Sequence, residues 1–561
     1  MVNKHGRTRT IHGSRYVLFP AASGIHMSVL KCCLLILLLG FFSVYVFAGA
    51  DVHVYDETVY LYLDKLQAAG LLRTYMPDQR PLAREVIVKL IAEARRNIIK
   101  PDGWYHELEF VIYRLEQEFP SQPEAMSAAR FEFTPLDSAS LSFTVTNQSG
   151  SITPSNELGF TAGYTQPLLS RSGGEHYDKY ANAYFSTVHK VKASPYVAAY
   201  VQPKFYARQG DDNGGIGLYR GYARARFGDL DVTVGRDDLR WGPGENSLLF
   251  NGNARALDMI KVSTPEAFRL PGVFKHAGYF RGTAFVSWLR DDFHPTETKL
   301  TGWRLDYSPV RWANIGFDHV VFMGGEGSVS PSAAQALKYF IGFLGQSGHD
   351  TADTNHLIGP DFTVHVPQAM GMEVYGKLMF EDTQAERRYM LESDTAYLGG
   401  IYFPAVHRLK RLSLRTEFHY TGQYPYTHWF YVDGFSLDNH YLGYDAGPDT
   451  YSGAVTARWQ FNFEEFIKLD MRYLRRSNDH YYWIMNEAGD NNIGIARGLN
   501  LPEETHFIIR AGGQKKISPD VALSMEAGYD RRRNADFTEG NSANEFFLRI
   551  RMLFRGFNFK F

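Results

Sequence analysis

The chain has 561 residues, with 59 Lys and Arg against 61 Asp and Glu and a formal net charge of −2. That balance offers no basic face, which argues against a nucleic-acid partner. Aromatic residues make up 15% of it, with 35 Tyr and 40 Phe against 8 Trp, an enrichment that suits strands and the girdles where a barrel meets lipid headgroups, although a soluble β-rich protein shares it.

Residues 1–50 hold Lys4, Arg7, Arg9, Arg15 and Lys31 and no acid. Leu34 to Val46 is almost wholly apolar, and Ala48-Gly49-Ala50 offers the small residues of a cleavage site. This is the pattern of a secretory signal peptide, too short in its apolar core for a comfortable membrane-spanning helix. Met27 fits a translation start, with Lys31 as the positive flank. Cys32 and Cys33 both lie in this leader, and Leu30-Lys31 puts a charge where a lipoprotein box needs small residues. The exported chain is therefore expected to hold no cysteine, which excludes disulfide frameworks, thiolate zinc sites and cysteine nucleophiles. Losing the leader leaves 54 basic and 61 acidic residues, a net charge of −7.

Residues 51–125 are expected to form a small helical segment, either a plug or a periplasmic element. Glu57 to Leu72 places Val59, Leu63, Leu66 and Ala69 on one stripe, with Gly70 as a stop signal. Pro81 opens a second helix with Val86, Leu90 and Ile91 on one face. A third follows Asp102-Gly103 and carries Leu108, Val111, Ile112 and Leu115, before Pro120 and Pro123 close the region. These stripes are modest, so the helices are expected to pack against or into something larger.

From Arg130 onward the period changes to two. Leu412, Leu414, Thr416, Phe418 and Tyr420 alternate with Ser413, Arg415, Glu417 and His419. Ile467, Leu469, Met471 and Tyr473 alternate with Lys468, Asp470 and Arg472, and 521–530 and 546–552 behave alike. One face is apolar, while the other carries charge of both signs. Strands of about ten residues or more exceed the usual five or six and match the 9–11 residues of a tilted membrane strand. Residues 126–561 are therefore expected to form an all-β transmembrane antiparallel barrel of about 18 strands, whose lumen lets opposite charges pair across strands.

The connections support this. Phe227-Gly228-Asp229-Leu230 and Tyr307-Ser308-Pro309-Val310-Arg311 are tight. Residues 208–216, 324–369, 421–451, 476–504 and 531–544 are long and polar, as expected for short turns on one rim and long loops on the other. Residues 240–276 need an extra strand, placed at 257–263, to keep the parity. Ser330–Leu344 reads as helical and able to fold into the lumen. Phe557, Phe559 and Phe561 resemble the terminal signal read by barrel assembly machinery, with a bulge expected at Arg555-Gly556.

An enzyme is not expected. The zinc motif H-E-x-x-H, the phosphate loop and the G-x-S-x-G elbow are all missing from the sequence. Gly345-Gln346-Ser347-Gly348 lacks the spacing that lifts a serine onto a strained turn. The pairs Asp237-Asp238, Asp291-Asp292 and Glu381-Asp382 are adjacent acids at strand ends rather than carboxyls facing across a cleft. No metal or cofactor is expected.

One stretch departs from the alternation: Gly235 to Gly244, which includes Arg240, Trp241, Gly242, Pro243 and Gly244, followed by Asn253, Ala254 and Arg255. Gly-Pro-Gly forces a non-strand turn. Trp241 is suited either to stacking on a sugar or to structural packing, with Arg240 and Arg255 paired to lumen acids. This run resembles the Wzi-type capsule assembly family. So do Tyr426-Thr427-His428 with Gly434, the run Leu442 to Asp449, and Met372 to Lys377 entering a strand that ends at Glu381-Asp382. The run Glu245-Asn246-Ser247 is more polar than the family pattern. The resemblance implies a closed barrel of about 18 strands in the outer membrane of a Gram-negative bacterium, with helices and loops blocking the lumen. It also implies lectin-like attachment of capsular or other extracellular polysaccharide to the cell surface. Outer-membrane lipid and the barrel assembly machinery are the further partners it implies, and it leaves a polysaccharide export channel open.

Aromatic faces stack on sugars while amides bond hydroxyls. The candidate glycan contacts are Trp241 and the loop aromatics Tyr424, Tyr426, Trp429, Tyr431, Tyr481, Tyr482 and Trp483, each also suited to girdle or loop packing. The competing reading is a porin or sugar-specific channel, for which the barrel and charged lumen would serve equally well.

Overall fold

The computed structural model describes residues 50–98, 105–120, 131–152, 164–210, 214–290, 293–342, 352–381, 391, 394–406, 409–477, 480–485, 491–496 and 502–556. The expected leader (all but Ala50) and the terminal phenylalanines lie outside these residues.

Among the described residues, 18 antiparallel strands close into one barrel. In chain order they are β1 Glu132–Thr146, β2 Tyr180–Ser194, β3 Val197–Arg208, β4 Gly214–Phe227, β5 Leu230–Asp237 and β6 Leu257–Ser263. Next come β7 Tyr279–Trp288, β8 Lys299–Val310, β9 Ala313–Met323, β10 Thr354–Val366, β11 Met372–Glu381 and β12 Thr395–Phe403. The last six are β13 Leu412–Thr421, β14 Thr450–Gln460, β15 Phe466–Arg476, β16 Glu504–Ser518, β17 Val521–Arg533 and β18 Ser542–Arg555. Each pairs with its neighbour, and β18 pairs with β1 from Phe547↔Thr146 to Arg555↔Ser138. The extra strand expected at 257–263 is β6. Tight turns at 195–196, 228–229, 311–312 and 519–520 share one rim, here the inner rim, while long connections such as 238–256, 324–353 and 422–449 share the outer one. This is the asymmetry of outer-membrane barrels.

Burial along the strands is the reverse of a soluble sheet. On β15, Ile467, Leu469, Met471 and Tyr473 are 38–55% exposed, whereas Asp470 and Arg472 between them are 6% and 4% exposed. Lipid takes the apolar face, and the inward charges have only one another. Arg510 pairs with Asp470 at 2.5 Å, and Arg304 reaches Asp361 at 2.6 Å and Asp318 at 2.7 Å. Buried charges persist only when paired and hydrogen-bonded in this way. Among the described residues no helix is long and apolar enough to cross a membrane.

The N-terminal region forms α1 Glu57–Ala68, α2 Arg84–Asn97 and α3 Tyr105–Glu118. Asp56 caps α1 by accepting the Thr58 N–H at 2.8 Å, and Gly70 follows its end at φ +75°, as C-terminal glycines do. Leu63, Leu66, Ile87, Val111, Ile112 and Leu115 bury completely among the three helices. Polar contacts tie this insert to lumen-facing side chains. Arg224 on β4 reaches Glu85 at 2.7 Å, Arg281 on β7 donates to the Gln79 carbonyl at 2.8 Å, and Arg458 on β14 donates to Thr58 at 3.2 Å. The inner turn at Gly371 lies so close to α1 that an added Cβ would meet Ala68 Cβ at 2.6 Å.

Two expectations change. Residues 324–369 are not one loop, because Thr354–Val366 is β10, paired on both sides. Gly359-Pro360 breaks its strand pattern in sequence, yet its inward residues Asn355, Leu357, Asp361, Thr363 and His365 are all buried. The helix expected at 330–344 exists as α4 Ala333–Ile341, capped by Ser332, but it does not enter the lumen. It packs on the outward side of β8–β9, where Trp303 Nε1 donates to the Phe340 carbonyl at 2.8 Å and Tyr339 clusters with Val321 and Met323.

Candidate functional site

The outer half of the lumen is filled by two loops. Loop 238–256 turns inward at Arg240-Trp241, which forms a two-residue antiparallel pair with Gln79-Arg80 of the insert. Gly242 continues this contact by donating its N–H to the Asp78 carbonyl at 2.9 Å, at φ +94°. At Gly244, φ is +84° and an added Cβ would meet the Glu417 carboxylate at 2.5 Å, so the Gly-Pro-Gly turn is demanded by both conformation and space. Trp241 is 1% exposed and packs edge-on against Phe250 and Phe285 at 5.2 and 5.5 Å. Arg240 pairs with Glu57 at 3.0 Å, and Arg255 lies 3.4 Å from Asp258.

Loop 422–449 locks onto this one. The Tyr426 hydroxyl donates to the Leu248 carbonyl at 2.8 Å, and Tyr426 N–H donates to Glu381 at the end of β11. Asn246 donates to Asp445 at 2.7 Å, Asp445 pairs with Arg472 at 2.8 Å, and Asn253 donates to the Tyr441 carbonyl at 3.1 Å. Burial alone would raise the Asp445 carboxyl, but Arg472 outweighs it and holds it well below the usual range. At Gly443 an added Cβ would meet the Leu248 carbonyl at 2.3 Å. The separate sequence runs around 240–255, 381, 426–434 and 442–449 are thus one packed unit.

The candidate aromatics therefore divide. Trp241, Tyr426 and Tyr431 are 0–1% exposed. Tyr426 stacks on Phe435, and the Tyr431 hydroxyl donates to the Asp353 carbonyl at 2.6 Å. Their faces are occupied by protein and not available for a sugar, which corrects the contact expected of them. Trp429 is 44% exposed and Tyr424 half-buried in the same loop. Next to Trp429, burial pushes the His428 imidazole down to about 3, so it is neutral. Tyr481, Tyr482 and Trp483 sit on a hairpin that pairs His480–Met485 with Asn491–Ala496, and their side chains lie outside the described residues. Sequence reasoning did not join Asn246, Asp445 and Arg472 as the link between the loops, although the polarity of 245–247, the run Leu442 to Asp449 and the charged face with Arg472 each marked one of them.

A half-enclosed cavity of about 640 Å³ remains between the loops, the insert and the wall from β14 through β18 to β4. Arg171, Glu245 and Lys468 meet there, with Glu245 lying 3.2 Å from each cation. Burial would raise the Glu245 carboxyl, but Lys468 and Arg171 hold it well below the usual range. Ser140, Ser142, Ser186 and Ser524 add hydroxyls to the same walls. Among the described residues no group of three or more His, Cys, Asp or Glu is placed to hold a metal ion.

Comparison with known proteins adds the following. The family model "Capsule assembly protein Wzi" matches residues 153–546. No curated protein matches the chain. Among solved structures, Wzi of Escherichia coli, described as an outer membrane protein involved in group 1 capsule assembly and a carbohydrate-binding β-barrel, aligns with a TM-score of 0.61 at 18% identity. That alignment covers 90% of this chain and 99% of the other. Acinetobacter baumannii OccAB4 aligns with a TM-score of 0.40 at 9% identity, over 77% and 99% of the two chains. Pseudomonas aeruginosa OprD aligns with a TM-score of 0.38 at 10% identity, over 75% and 96%.

Proposed function

Because the chain belongs to the Wzi family of capsule assembly proteins and is an outer-membrane β-barrel, we propose that it binds capsular or related extracellular polysaccharide and holds it at the cell surface. One observation carries this reading over that of a porin: the lumen is packed from both ends, by α1–α3 on the inner side and by loops 238–256 and 422–449 on the outer. A transport channel needs a continuous aqueous path, and here Trp241, Tyr426 and Tyr431 are buried where the two loops meet. The role is binding and not catalysis. Of the loop aromatics, Trp429, exposed, and Tyr424, half-buried, are the proposed glycan contacts in the described region, with Tyr481, Tyr482 and Trp483 as further candidates. Outer-membrane lipid, the barrel assembly machinery and a polysaccharide export channel complete the proposed partners.

The test is to delete the protein and weigh cell-bound against shed polysaccharide in one culture. An unchanged total with a shift from bound to shed supports attachment. Trp429→Ala with Tyr424→Ala should reproduce part of that shift while the barrel stays folded. An unchanged partition on deletion refutes the attachment role, and strong conductance in planar bilayers would then favour the channel.

A further inference from the structure

The run Arg531-Arg532-Arg533 closes the outer end of β17 and sorts its arginines by face. Arg532 points into the lumen and is buried among three carboxylates, Glu504 at 2.6 Å, Glu545 at 2.8 Å and Asp536 at 3.0 Å. Arg531 and Arg533 point outward and are exposed, and neither makes an ion pair or a side-chain hydrogen bond with any described residue. Three acids therefore serve the inner arginine, and none of them reaches the outer two.

The strand register shows what surrounds the outer pair. Across the outward face, Arg475 on β15 stands opposite Thr505, Thr505 opposite Arg533, and Arg533 opposite Ser542. One step toward the middle of the membrane, Tyr473, Phe507, Arg531 and Asn544 form a second row, and Met471, Ile509, Tyr529 and Phe546 a third. Tyr473, Phe507, Tyr529 and Phe546 are 43–53% exposed, as expected of an aromatic girdle at headgroup level. Arg531 and Arg533 thus sit where the apolar band of the wall gives way to polar groups. Arg475 pairs with Glu503, an exposed contact of the kind that adds little stability and opens easily. Strands lie about 4.8 Å apart, so the three side chains can converge on one anion.

A guanidinium fork binds phosphate oxygens in pairs. Thr505, Ser542 and Asn544 place neutral donors beside it, and the rings below offer acyl chains an apolar surface. A lipid with a phosphorylated headgroup matches this order of polar above apolar, whereas a free phosphate would use the upper half alone. We infer that the outward face of β15–β18 at the outer rim is a docking site for a phosphate-bearing lipid of the outer leaflet, with Arg531 and Arg533 holding the phosphate. The inference gives a place and a chemistry to the lipid partner proposed above. It rests on the outer-membrane placement of the barrel and does not depend on polysaccharide attachment.

The test is native mass spectrometry of the full-length protein in detergent, titrated with diphosphoryl lipid A and with lipid A stripped of both phosphates. The phosphorylated lipid should bind at least about tenfold more tightly, as expected of a charge-assisted pair. Arg531→Gln with Arg533→Gln should bring the two affinities together, and Arg531→Lys with Arg533→Lys should keep part of the difference. Lys299→Gln, which removes an exposed charge at the outer end of β8, should leave the difference intact. The outward arginines hold no described partner, so replacing them removes no internal contact, and unchanged heat-modified gel migration verifies the fold. Equal affinities in the parent protein, or a preference that survives the double Gln variant, overturns the site. Inorganic phosphate binding as tightly as lipid A also overturns it, because the patch would then be a free-phosphate site. If the preference is present and lost in the double variant while deletion leaves the polysaccharide partition unchanged, the site stands and attachment falls. If the two lipids bind alike while deletion sheds polysaccharide, the site falls and attachment stands.

Discussion

The insert and the barrel wall bury opposite things. In α1–α3 the interior is chiefly Leu, Ile and Val, with Lys65 as a buried exception. In the wall the inward face carries paired Arg, Asp, Lys and Glu, joined by apolar side chains such as Phe285, Leu357 and Met379 where the outer loops pack, while residues such as Leu469, Met471 and Phe418 point out. Both obey the same rule of matching each face to its surroundings. The helices bury their stripes against one another, whereas each strand separates lipid from a polar lumen. The interface between the regions is accordingly polar, made of pairs such as Glu85–Arg224 and Gln79–Arg281. A buried side chain is therefore held by apolar packing in the insert, and by both charge pairing and apolar packing against the loops in the wall.

Substitutions that remove one partner should expose this contrast. In the wall, Arg304→Ala leaves Asp318 and Asp361 sharing Lys377 alone. It should cost about 3–5 kcal/mol, the range for breaking a buried pair from one side. A lowered urea midpoint of the whole barrel in detergent would register it, and an unchanged midpoint would mean that the wall does not depend on pairing. In the insert, Leu63→Ala should cost about 2–5 kcal/mol as a cavity. Its effect should be confined to the helices, read as faster proteolysis within residues 51–120 while the barrel keeps its heat-resistant gel migration. If the two unfold together instead, insert and wall are one cooperative unit.

The smallest expected effect concerns Lys65, a buried charge of the insert. Lys65 is 2% exposed, and its nearest acid, Glu107, is 3.8 Å away. Burial pushes its ammonium down to about 8. Between about pH 8 and its unfolded value near 10.4 the unfolded chain holds a proton that the folded insert has released, so stability rises with pH across that window. Lys65→Met should stabilise the insert by about 1–3 kcal/mol at pH 7, and the gain should shrink as pH climbs through the window. Proteolysis of the insert at pH 7 and pH 10 measures both. A gain that does not change with pH would show that the charge is not the cause.

Much of the wall was legible because alternation such as Leu412 to Tyr420 survives any local context, and because 257–263 was required by parity. β10 was not legible, since Gly359-Pro360 carries the local signature of a turn and only pairing with β9 and β11 makes it a strand. α4 was legible as a helix but not in direction: the face that holds Tyr339 gives no sign of which side of the wall it meets. For the candidate site, position in a loop suggested exposure, and that held for Trp429 but not for Tyr426 and Tyr431. An aromatic ring looks the same in sequence whether its loop rises into water or folds into the lumen. What decided it was Gly434 and Gly443, where an added Cβ would strike the Tyr426 and Leu248 carbonyls, and such close approaches exist only once the loops have met.

The pairing of Trp241 with Gln79 joins an element made early in the chain to a loop between the fifth and sixth strands, while the β18–β1 pairing joins the chain's last strand to its first. The contents of the lumen, loop 422–449 included, thus precede β18 in the chain, and the ring around them is completed by that strand. Wall and filling are ordered along the sequence like a parcel and its seal. A chain cut short before Ser542 would lack the seal and leave β1 and β17 as bare edges, open to pairing with another chain.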